Sequence, residues 1–222
     1  MVQQLTLGAL QRDGVMAFGD GYRTKQSEFG VAGFRVIRAA DVREGEVLFT
    51  SEDLIRPEFE RQIGAKAVRE GDVVLTTKGT VGRVALVREL IGKAAYSPQL
   101  CWFRVADFTV LDPSYLLAWL RSSEFKLQAS HMQANSDMAP YISLSDLRST
   151  RISLPALEVQ RSIGHVLLAF DNKMAANARE NRKLAEFRDS LLPELMSGRI
   201  RVSDIQEGVT NMTSDISRGP YA

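Results

Sequence analysis

Two glycine-bounded loops carry the side chains of this sequence that are best suited to binding a polyanion. The first loop, GDGYRTKQSEFG, runs from Gly19 to Gly30 and holds Tyr22, Arg23, Lys25 and Gln26. Arginine and lysine bind phosphate groups, and arginine and glutamine can also hydrogen-bond to the edges of bases. Taken alone, the loop has a simpler alternative, which is a charged turn that faces solvent.

The second loop, TTKGTVGR, presents Lys78, Thr80 and Arg83 between glycines. A phosphate-binding P-loop needs Gly, four residues and then Gly-Lys-Ser/Thr, whereas the order here is Lys78-Gly79-Thr80, so this stretch is not a P-loop. Gly79 and Gly82 also lack the Gly-x-Gly-x-x-Gly spacing of a dinucleotide site. We interpret the stretch as a turn that offers cations and backbone amides, and a solvated turn is again the alternative.

Two further polar segments accompany these loops. SPQ ends at Gln99, and ANSDMAPY contains Asn135, Ser136 and Tyr141. Both interrupt sequence that is otherwise apolar or helical in pattern. Together with the two loops they predict a polar rim on one body.

The sequence contains only weak signals for a catalytic site. The two histidines, His131 and His165, lie in segments of different character and have no cysteine or acidic residue at metal-ligand spacing. Glu44 and Glu46 could form a carboxylate pair, although EGE before a β-like run is more typical of a solvated turn. No Asn/Asp-Pro-Pro-Tyr/Phe motif of a base-flipping methyltransferase is present. A small metal-dependent nuclease using Glu44 or Glu46 remains an alternative, which metal-dependent cleavage by the purified chain would establish.

Composition is that of a globular chain with a substantial core. Its 222 residues are 45% hydrophobic and 25% charged, and the formal net charge of +1 neither requires nor excludes nucleic acid. No apolar run is long enough to predict a membrane span, and MVQQLTLGALQRDG does not resemble a secretory signal. The single cysteine, Cys101, stands in an apolar run and is predicted to be a buried, inert thiol. We expect a cytoplasmic protein that binds no metal.

The elements that must position the polar rim are predicted to be mostly strands. FRVIRA, EVLFT, DVVLTT, RVALV and QLCWFRV are short β-like runs between turn residues. From Leu111 to Gln128 the apolar spacing becomes helical, with Asp112 as a capping residue and Pro113 in the first turn. The sequence therefore predicts an α+β fold with a β-rich body at residues 1–155.

A long helix is predicted after Pro155, at residues 156–198, followed by a polar tail at 199–222. Gly198 is a suitable helix stop. Apolar and amide side chains recur at spacings of alternately four and three residues, which is a heptad seam. An alternative is that this side of the helix covers the β-rich body. The seam consists of Ile163, Leu167, Phe170, Met174, Asn177, Asn181, Leu184, Arg188, Leu191 and Leu195.

These segments together resemble the specificity subunits of Type I restriction-modification systems, in a half-length form with one target recognition domain. The resemblance is carried by GDGYRTKQSEFGVAGFRVIRAADVREG, by GDVVLTTKGTVGRVALV and by the stretch from YISLSDLRSTRISLP to LLPELMSGRIRV. It covers nearly the whole chain before the polar tail. The last stretch is the most specific, with its strand ending in Leu-Pro, its Leu-x-x-Phe-Asp and its Leu-Met-Ser-Gly-Arg-Ile ending.

The resemblance implies a noncatalytic chain that recognises double-stranded DNA in the major groove. The long helix would be the spacer that separates recognition domains and docks the methyltransferase subunits, and a restriction subunit would join in systems that have one. S-adenosylmethionine would be bound by the methyltransferase partner, and no cofactor by this chain. The residues expected to contact DNA are Tyr22, Arg23, Lys25, Gln26, Lys78, Thr80, Arg83, Gln99, Asn135, Ser136 and Tyr141.

A chain with one recognition domain and one spacer helix has to dimerise to read a bipartite site. An antiparallel pair of these helices would place two identical domains at opposite ends, so the expected target is an inverted repeat with a nonspecific spacer. The main alternative from another class is a noncatalytic protein-interaction scaffold with a dimerising helix, which the absence of a basic excess favours. A steep salt dependence of duplex binding would separate the two interpretations.

Overall fold

The computed structural model describes residues 2–43, 45–134 and 141–199. Glu44, Asn135, Ser136 and the tail beyond Arg199 lie outside the described residues. The helices are α1 (Leu7–Arg12), α2 (Glu60–Ile63), α3 (Pro113–Arg121), α4 (Ser123–Ala134), α5 (Leu144–Ser149) and α6 (Leu157–Met196). The strands are β1 (Gln3–Thr6), β2 (Met16–Asp20), β3 (Phe29–Gly30), β4 (Phe34–Ile37), β5 (Val42–Arg43), β6 (Glu46–Val47), β7 (Leu54–Ile55), β8 (Val73–Thr76), β9 (Val84–Leu86), β10 (Ala94–Tyr96), β11 (Leu100–Val105) and β12 (Arg151–Leu154).

The body is built on two four-stranded sheets, ordered β2-β11-β8-β9 and β10-β4-β7-β3. The first sheet is antiparallel throughout, whereas β10 and β4 run parallel in the second. Two-stranded sheets join β5 to β6 and β1 to β12. Because β12 immediately precedes helix α6, pairing with β1 ties the start of the chain to the entry of the long helix. The predicted α+β class is confirmed.

Strand β11 lies at the centre of the body and is buried on both faces. Cys101 and Phe103 belong to one hydrophobic cluster, whereas Leu100 and Trp102 belong to a second. Alternation of this kind is expected because successive strand side chains point to opposite faces of a sheet. Burial raises the pKa of the Cys101 thiol, which therefore stays protonated and unreactive, as predicted.

A buried ion pair supports strand β8. Asp72 is fully buried and accepts hydrogen bonds from Nε and Nη2 of Arg104, both at 2.7 Å. The Tyr96 hydroxyl donates to the same carboxylate at 2.9 Å, and the Arg69 amide donates to it at 2.9 Å. These bonds replace the water that the carboxylate loses on burial.

The helical stretch that was predicted as one helix from Leu111 to Gln128 is two helices. Asp112 caps α3 by accepting from the amides of Ser114 and Tyr115, as predicted. Ser122 is extended, with φ −67° and ψ 162°, and its hydroxyl accepts a hydrogen bond from the Phe125 amide. The prediction of continuity was wrong because a serine can end one helix and cap the next.

The chain divides into two compact units, Met1–Asn172 and Lys173–Ala222, and helix α6 contributes to both. Within the first unit, Gln160, Gly164 and Asp171 face the body, while Ile163, Leu167 and Phe170 are exposed. The alternative that the seam covers the body is therefore wrong for these turns, because another face of the helix makes that contact.

The rest of the seam belongs to the second unit. Met174, Asn177, Asn181, Leu184 and Arg188 are exposed there. Leu191 and Leu195 are partly buried. Gly198 follows the helix with a φ of 70°, as expected for a helix stop. No helix in the described parts of the chain is long and apolar enough to cross a membrane.

Candidate nucleic-acid interface

The loop that contains Tyr22 is joined to the SPQ segment through backbone atoms. The Tyr22 amide donates to the Tyr96 carbonyl at 2.6 Å. At Gly21 a Cβ would lie 2.1 Å from the Ser97 carbonyl oxygen, so the approach requires glycine. The two segments therefore form one continuous surface.

The TTKGTVGR turn is joined to the same segment. The amides of Thr77 and Lys78 donate to the Gln99 carbonyl at 2.9 and 3.3 Å, and the Thr77 hydroxyl donates to it at 3.1 Å. The Ile142 amide donates to the Thr77 carbonyl at 3.1 Å, which brings the exposed Tyr141 to this side of the body. We call the surface formed by residues 22–26 and 78–83 together with Gln99 and Tyr141 the loop surface.

A threonine that sequence reasoning missed holds the turn in shape. The Thr76 hydroxyl donates to the Thr80 carbonyl and accepts from the Arg83 amide, the latter at 2.9 Å. Gly79 and Gly82 have φ values of 77° and 96°, a region that other residues rarely adopt. The turn therefore exposes Lys78 and Thr80 on a braced backbone.

The cations of the loop surface differ in their surroundings. Arg23, Lys25 and Lys78 are exposed, and none forms an ion pair with another residue in the part of the chain that the structure describes. Arg83 is partly buried, and its Nη1 donates to the Val42 carbonyl at 3.3 Å. The first three are therefore available to a polyanion, and the Arg83 guanidinium is partly engaged within the fold.

The Tyr22 loop has its own internal brace, Glu28. This glutamate is buried, accepts from the Lys25 amide at 3.0 Å and hydrogen-bonds to the Tyr22 phenol. Burial, and then the bond and charge of Glu28, raise the pKa of Tyr22, so the phenol remains a donor. Gln26 is exposed in the short turn between these residues. A buried glutamate in a polar loop gives no sequence signal that distinguishes it from a solvated one.

A hollow of about 310 Å³ lies within the loop surface, between the Tyr22 loop and the SPQ segment, and we call it the Tyr22–Gln99 hollow. Phe29, Arg38 and Ser97 join Tyr22 and Gln99 in its wall. Arg38 forms an ion pair with Asp53. Ser97 is 6% exposed, and its hydroxyl has no hydrogen-bond partner among the described residues. Sequence reasoning missed Phe29, an apolar residue at the end of the first loop, and Arg38, which stands in the strand-like run FRVIRA.

The residues considered for metal chemistry are not brought together. His131 and His165 are exposed on different helices, and Glu46 lies in strand β6. Across residues 2–43, 45–134 and 141–199, no group of three or more histidine, cysteine or acidic side chains is placed to hold a metal ion. The loop surface offers donors and positive charge, which suit binding to phosphates and bases.

Comparison with known families and proteins gives consistent matches. Residues 13–186 match the model of the Type I restriction modification DNA specificity domain. The Type I restriction enzyme MjaVIII specificity subunit of Methanocaldococcus jannaschii is 25% identical over 86% of this chain and 45% of its own length. The corresponding EcoBI subunit of Escherichia coli is 25% identical over 80% of this chain and 34% of its own length.

Solved structures agree in fold. The HsdS subunit of Thermoanaerobacter tengcongensis superposes with a TM-score of 0.56 at 22% identity, covering 87% of this chain and 44% of that one. The chain thus spans less than half the length of the proteins it matches.

Proposed function

Because the chain belongs to the family of Type I restriction modification DNA specificity domains, we propose that it reads one half of a bipartite DNA site for a restriction-modification complex. The observation that carries the proposal is the loop surface. Segments separated by more than 50 residues meet there and present Arg23, Lys25 and Lys78 without ion-pair partners among the described residues. Family membership agrees with the sequence-based interpretation of a noncatalytic specificity subunit.

The loop surface suits major-groove recognition for a chemical reason. Lysine and arginine side chains bind phosphates and fix the protein on the duplex, whereas side chains that reach base edges select sequence. Gln26, Gln99 and Arg23 are exposed and can form paired hydrogen bonds with adenine or guanine. Each such contact discriminates by about 1–3 kcal/mol. Arg83 and Thr80 would contribute through the turn, and Tyr141 through its exposed ring.

A second copy of the chain would complete the bipartite site. The exposed seam of α6 supports this part of the proposal, since Phe170 is 64% exposed and Met174 is 63% exposed. Apolar side chains at heptad spacing are typical of helices that pack against another helix. Asparagine pairs in such a seam select register.

The seam is self-complementary in an antiparallel arrangement. When Asn177 faces the partner's Asn181, Met174 faces the partner's Leu184 and Leu167 faces the partner's Leu191. The amides then meet each other instead of apolar side chains. Forty helical residues extend roughly 60 Å, which exceeds the ~34–36 Å of one DNA turn. Two identical domains at opposite ends would read an inverted repeat around a spacer.

The methyltransferase subunit is the other proposed partner, docking along α6 and supplying S-adenosylmethionine. A restriction subunit would join the same complex in systems that have one. We also propose a cytoplasmic location, since DNA and these partners are found there in a bacterial or archaeal cell.

The test is enrichment of a randomised duplex library on this chain together with its methyltransferase subunit, followed by sequencing of the retained DNA. We expect an inverted repeat with a fixed spacer. An asymmetric motif would contradict the symmetric dimer, and the absence of any motif from an intact complex would contradict DNA reading.

A protein-interaction scaffold is the second candidate function, favoured by the exposed apolar seam and the net charge of +1. It predicts duplex binding that is weak at every salt concentration. DNA reading predicts that affinity falls steeply and linearly on a log–log plot of binding constant against salt.

A further inference from the structure

The Tyr22–Gln99 hollow has a shape that the proposed reading of base edges does not use. Base edges inside a duplex lie at the floor of a groove and are reached by side chains or elements that project into it. The hollow has a volume of about 310 Å³ and is concave, so its wall cannot project into a groove. It can enclose a planar ring that has left the stack.

The wall has the chemistry of a base-binding site. Two aromatic residues, Tyr22 and Phe29, line the hollow together with Arg38. Bases outside a duplex are held by stacking on aromatic or apolar side chains and by hydrogen bonds to their polar edges. Gln99 supplies an amide with both donor and acceptor groups. The hollow therefore combines an apolar contact area with directional polar groups.

Ser97 provides an independent observation. Its side chain is more than nine-tenths buried, yet its hydroxyl has no partner among the residues that the structure describes. A buried hydroxyl without a hydrogen bond is unfavourable, so such groups usually have a ligand or water as partner. Ser97 belongs to the wall of the hollow, where a small movement would present the hydroxyl to a bound base.

Arg38 presents an accessible guanidinium. Its backbone amide donates to Asp41 at 2.8 Å, and its guanidinium forms an ion pair with Asp53. About half of each of the Arg38 and Asp53 side chains is exposed, so the guanidinium can be reached by a ligand. The exposed cations Arg23, Lys25 and Lys78 lie on the same loop surface, where they can bind the phosphates on either side of a displaced nucleotide.

We propose that the Tyr22–Gln99 hollow binds one nucleobase of the half-site outside the duplex stack. Tyr22 and Phe29 contact the ring, and Arg38, Ser97 and Gln99 bind its polar edge. This proposal rests on the proposed function, because it assigns a ligand to a part of the same surface. It makes recognition at one position depend on the cost of opening a base pair as well as on base identity.

The first experiment is a mismatch scan of the enriched duplex, using the chain in complex with its methyltransferase subunit. Each base of the half-site is kept in turn while its opposite base is changed to one that cannot pair. An unpaired base costs less to extrude than a paired one, so one position should bind about tenfold tighter, which corresponds to about 1.4 kcal/mol. At positions read within the stack a mismatch should weaken binding or leave it unchanged. A scan with no gain at any position would overturn the proposal.

Variants of the hollow test whether the tighter binding to mismatched DNA comes from this chain. Gln99→Ala keeps the backbone carbonyl that holds Thr77 and Lys78, and Tyr22→Leu removes the ring but keeps apolar volume. Each should abolish the mismatch gain, whereas the matched control Arg61→Ala, exposed on α2, should retain it. A methyltransferase can itself extrude a base. A gain that survives both hollow variants would belong to that subunit and would overturn the proposal.

Two further measurements separate this proposal from its alternatives. The thermal unfolding midpoint of Gln99→Ala should match that of the parent chain. Loss of the tighter binding to mismatched DNA would then not be caused by misfolding. Titration with the four deoxynucleoside monophosphates tests for a free-nucleotide site, and tight binding that Gln99→Ala abolishes would overturn the DNA assignment. Normal duplex binding without a mismatch gain contradicts the hollow alone, whereas absent sequence-selective binding contradicts the proposed function as well.

Discussion

Adjacent threonines at one bend, Thr76 and Thr77, brace the loop surface in different directions. Thr76 closes the turn upon itself through the Arg83 amide, whereas Thr77 ties the turn to the Gln99 carbonyl. Both side chains are buried, so their hydroxyls gain more from these bonds than exposed hydroxyls would. Lys78 follows directly and is exposed, which places its charge at the surface on a hydrogen-bonded backbone.

Lys78→Ala is the residue-scale test of phosphate binding. We expect weaker binding to every duplex, with a log–log salt slope lower by about 1, because one phosphate contact releases about one counterion. Binding constants measured at several salt concentrations from about 50 to about 200 mM give the slope. Lys126→Ala, an exposed lysine of α4 outside the loop surface, is the matched control. An unchanged slope for Lys78→Ala would argue against a phosphate role.

Tyr96 makes the stability of the body sensitive to alkaline pH. Burial, and then the negative charge and hydrogen bond of Asp72, raise its pKa well above 10.0 in the folded chain. Below pH 10 Tyr96 is protonated in both the folded and the unfolded chain, so its contribution to the free energy of unfolding is complete there. Above that pH the unfolded chain loses its proton first, and the free energy of unfolding falls by up to about 1.4 kcal/mol per pH unit for this group.

Urea unfolding between neutral pH and pH 11 tests this expectation. Tyr96→Phe should be less stable than the parent chain at pH 7 by about 1 kcal/mol, because the bond to Asp72 is lost. Above pH 10 it should lose stability less steeply than the parent. Tyr141→Phe removes an exposed phenol and should reproduce the parent profile. Equal slopes for the parent and Tyr96→Phe would refute the assignment.

At the scale of elements, the contact between α6 and α3 depends on a glycine. A Cβ at Gly164 would lie 2.6 Å from the Ser114 Cβ and 3.1 Å from the Tyr115 amide. Four residues earlier, Gln160 accepts from the Asp112 amide at 3.1 Å. The long helix is therefore seated against the capped start of α3.

Gly164→Ala should lower stability although alanine is the better helix former. Alanine gains about 1 kcal/mol in helix propensity, but overpacking against Ser114 costs about 1–3 kcal/mol. The net loss should appear as a lower urea midpoint with an unchanged m-value. Ser162→Ala, at an exposed position two residues earlier, should be neutral or slightly stabilising. A stabilised Gly164→Ala chain would mean that the contact is loose.

Local patterns explain which elements could be predicted. The strand prediction for QLCWFRV was right because the apolar run is bounded by turn residues, and it became β11. EVLFT has a similar pattern but forms only the two-residue strand β6. The meeting of the Tyr22 loop with SPQ could not be predicted, because it depends on β2 pairing with β11, a long-range register in which Asp20 lies opposite Cys101. Glu28 was missed because its local sequence does not distinguish a buried glutamate from a solvated one.

For the whole molecule, the seam on α6 determines the proposed assembly. Its exposed apolar side chains occupy a face that the body leaves uncovered over Ile163 to Phe170. Asn177 and Asn181 are the polar pair within it. Parallel and antiparallel dimers use the same seam but bring different asparagines together, so they can be distinguished by chemistry.

Single cysteines make that distinction. In the antiparallel pair, Asn177→Cys faces Asn181 of the partner subunit, so neither Asn177→Cys nor Asn181→Cys alone should cross-link efficiently. Under oxidising conditions an equimolar mixture of the two variants, refolded together, should yield about half disulfide-linked heterodimer. A disulfide needs Cβ atoms about 4 Å apart, whereas identical positions are offset by roughly 6 Å along the helix axis. Strong linkage of Asn177→Cys to itself would indicate parallel helices. The buried native thiol, Cys101, should not react in the folded chain.

The pairing of β1 with β12 has a consequence for the order of folding. Gln3 pairs with Leu154, so this contact closes a loop of about 150 residues, and loop-closure entropy makes such a contact slow to form. Strand β8 pairs with the nearby β9, from Val73 opposite Leu86. In pulsed hydrogen exchange, amide protection in β1 should therefore appear after protection in β8. During synthesis β1 cannot pair until β12 has been made, so the body is completed only as the long helix begins to emerge.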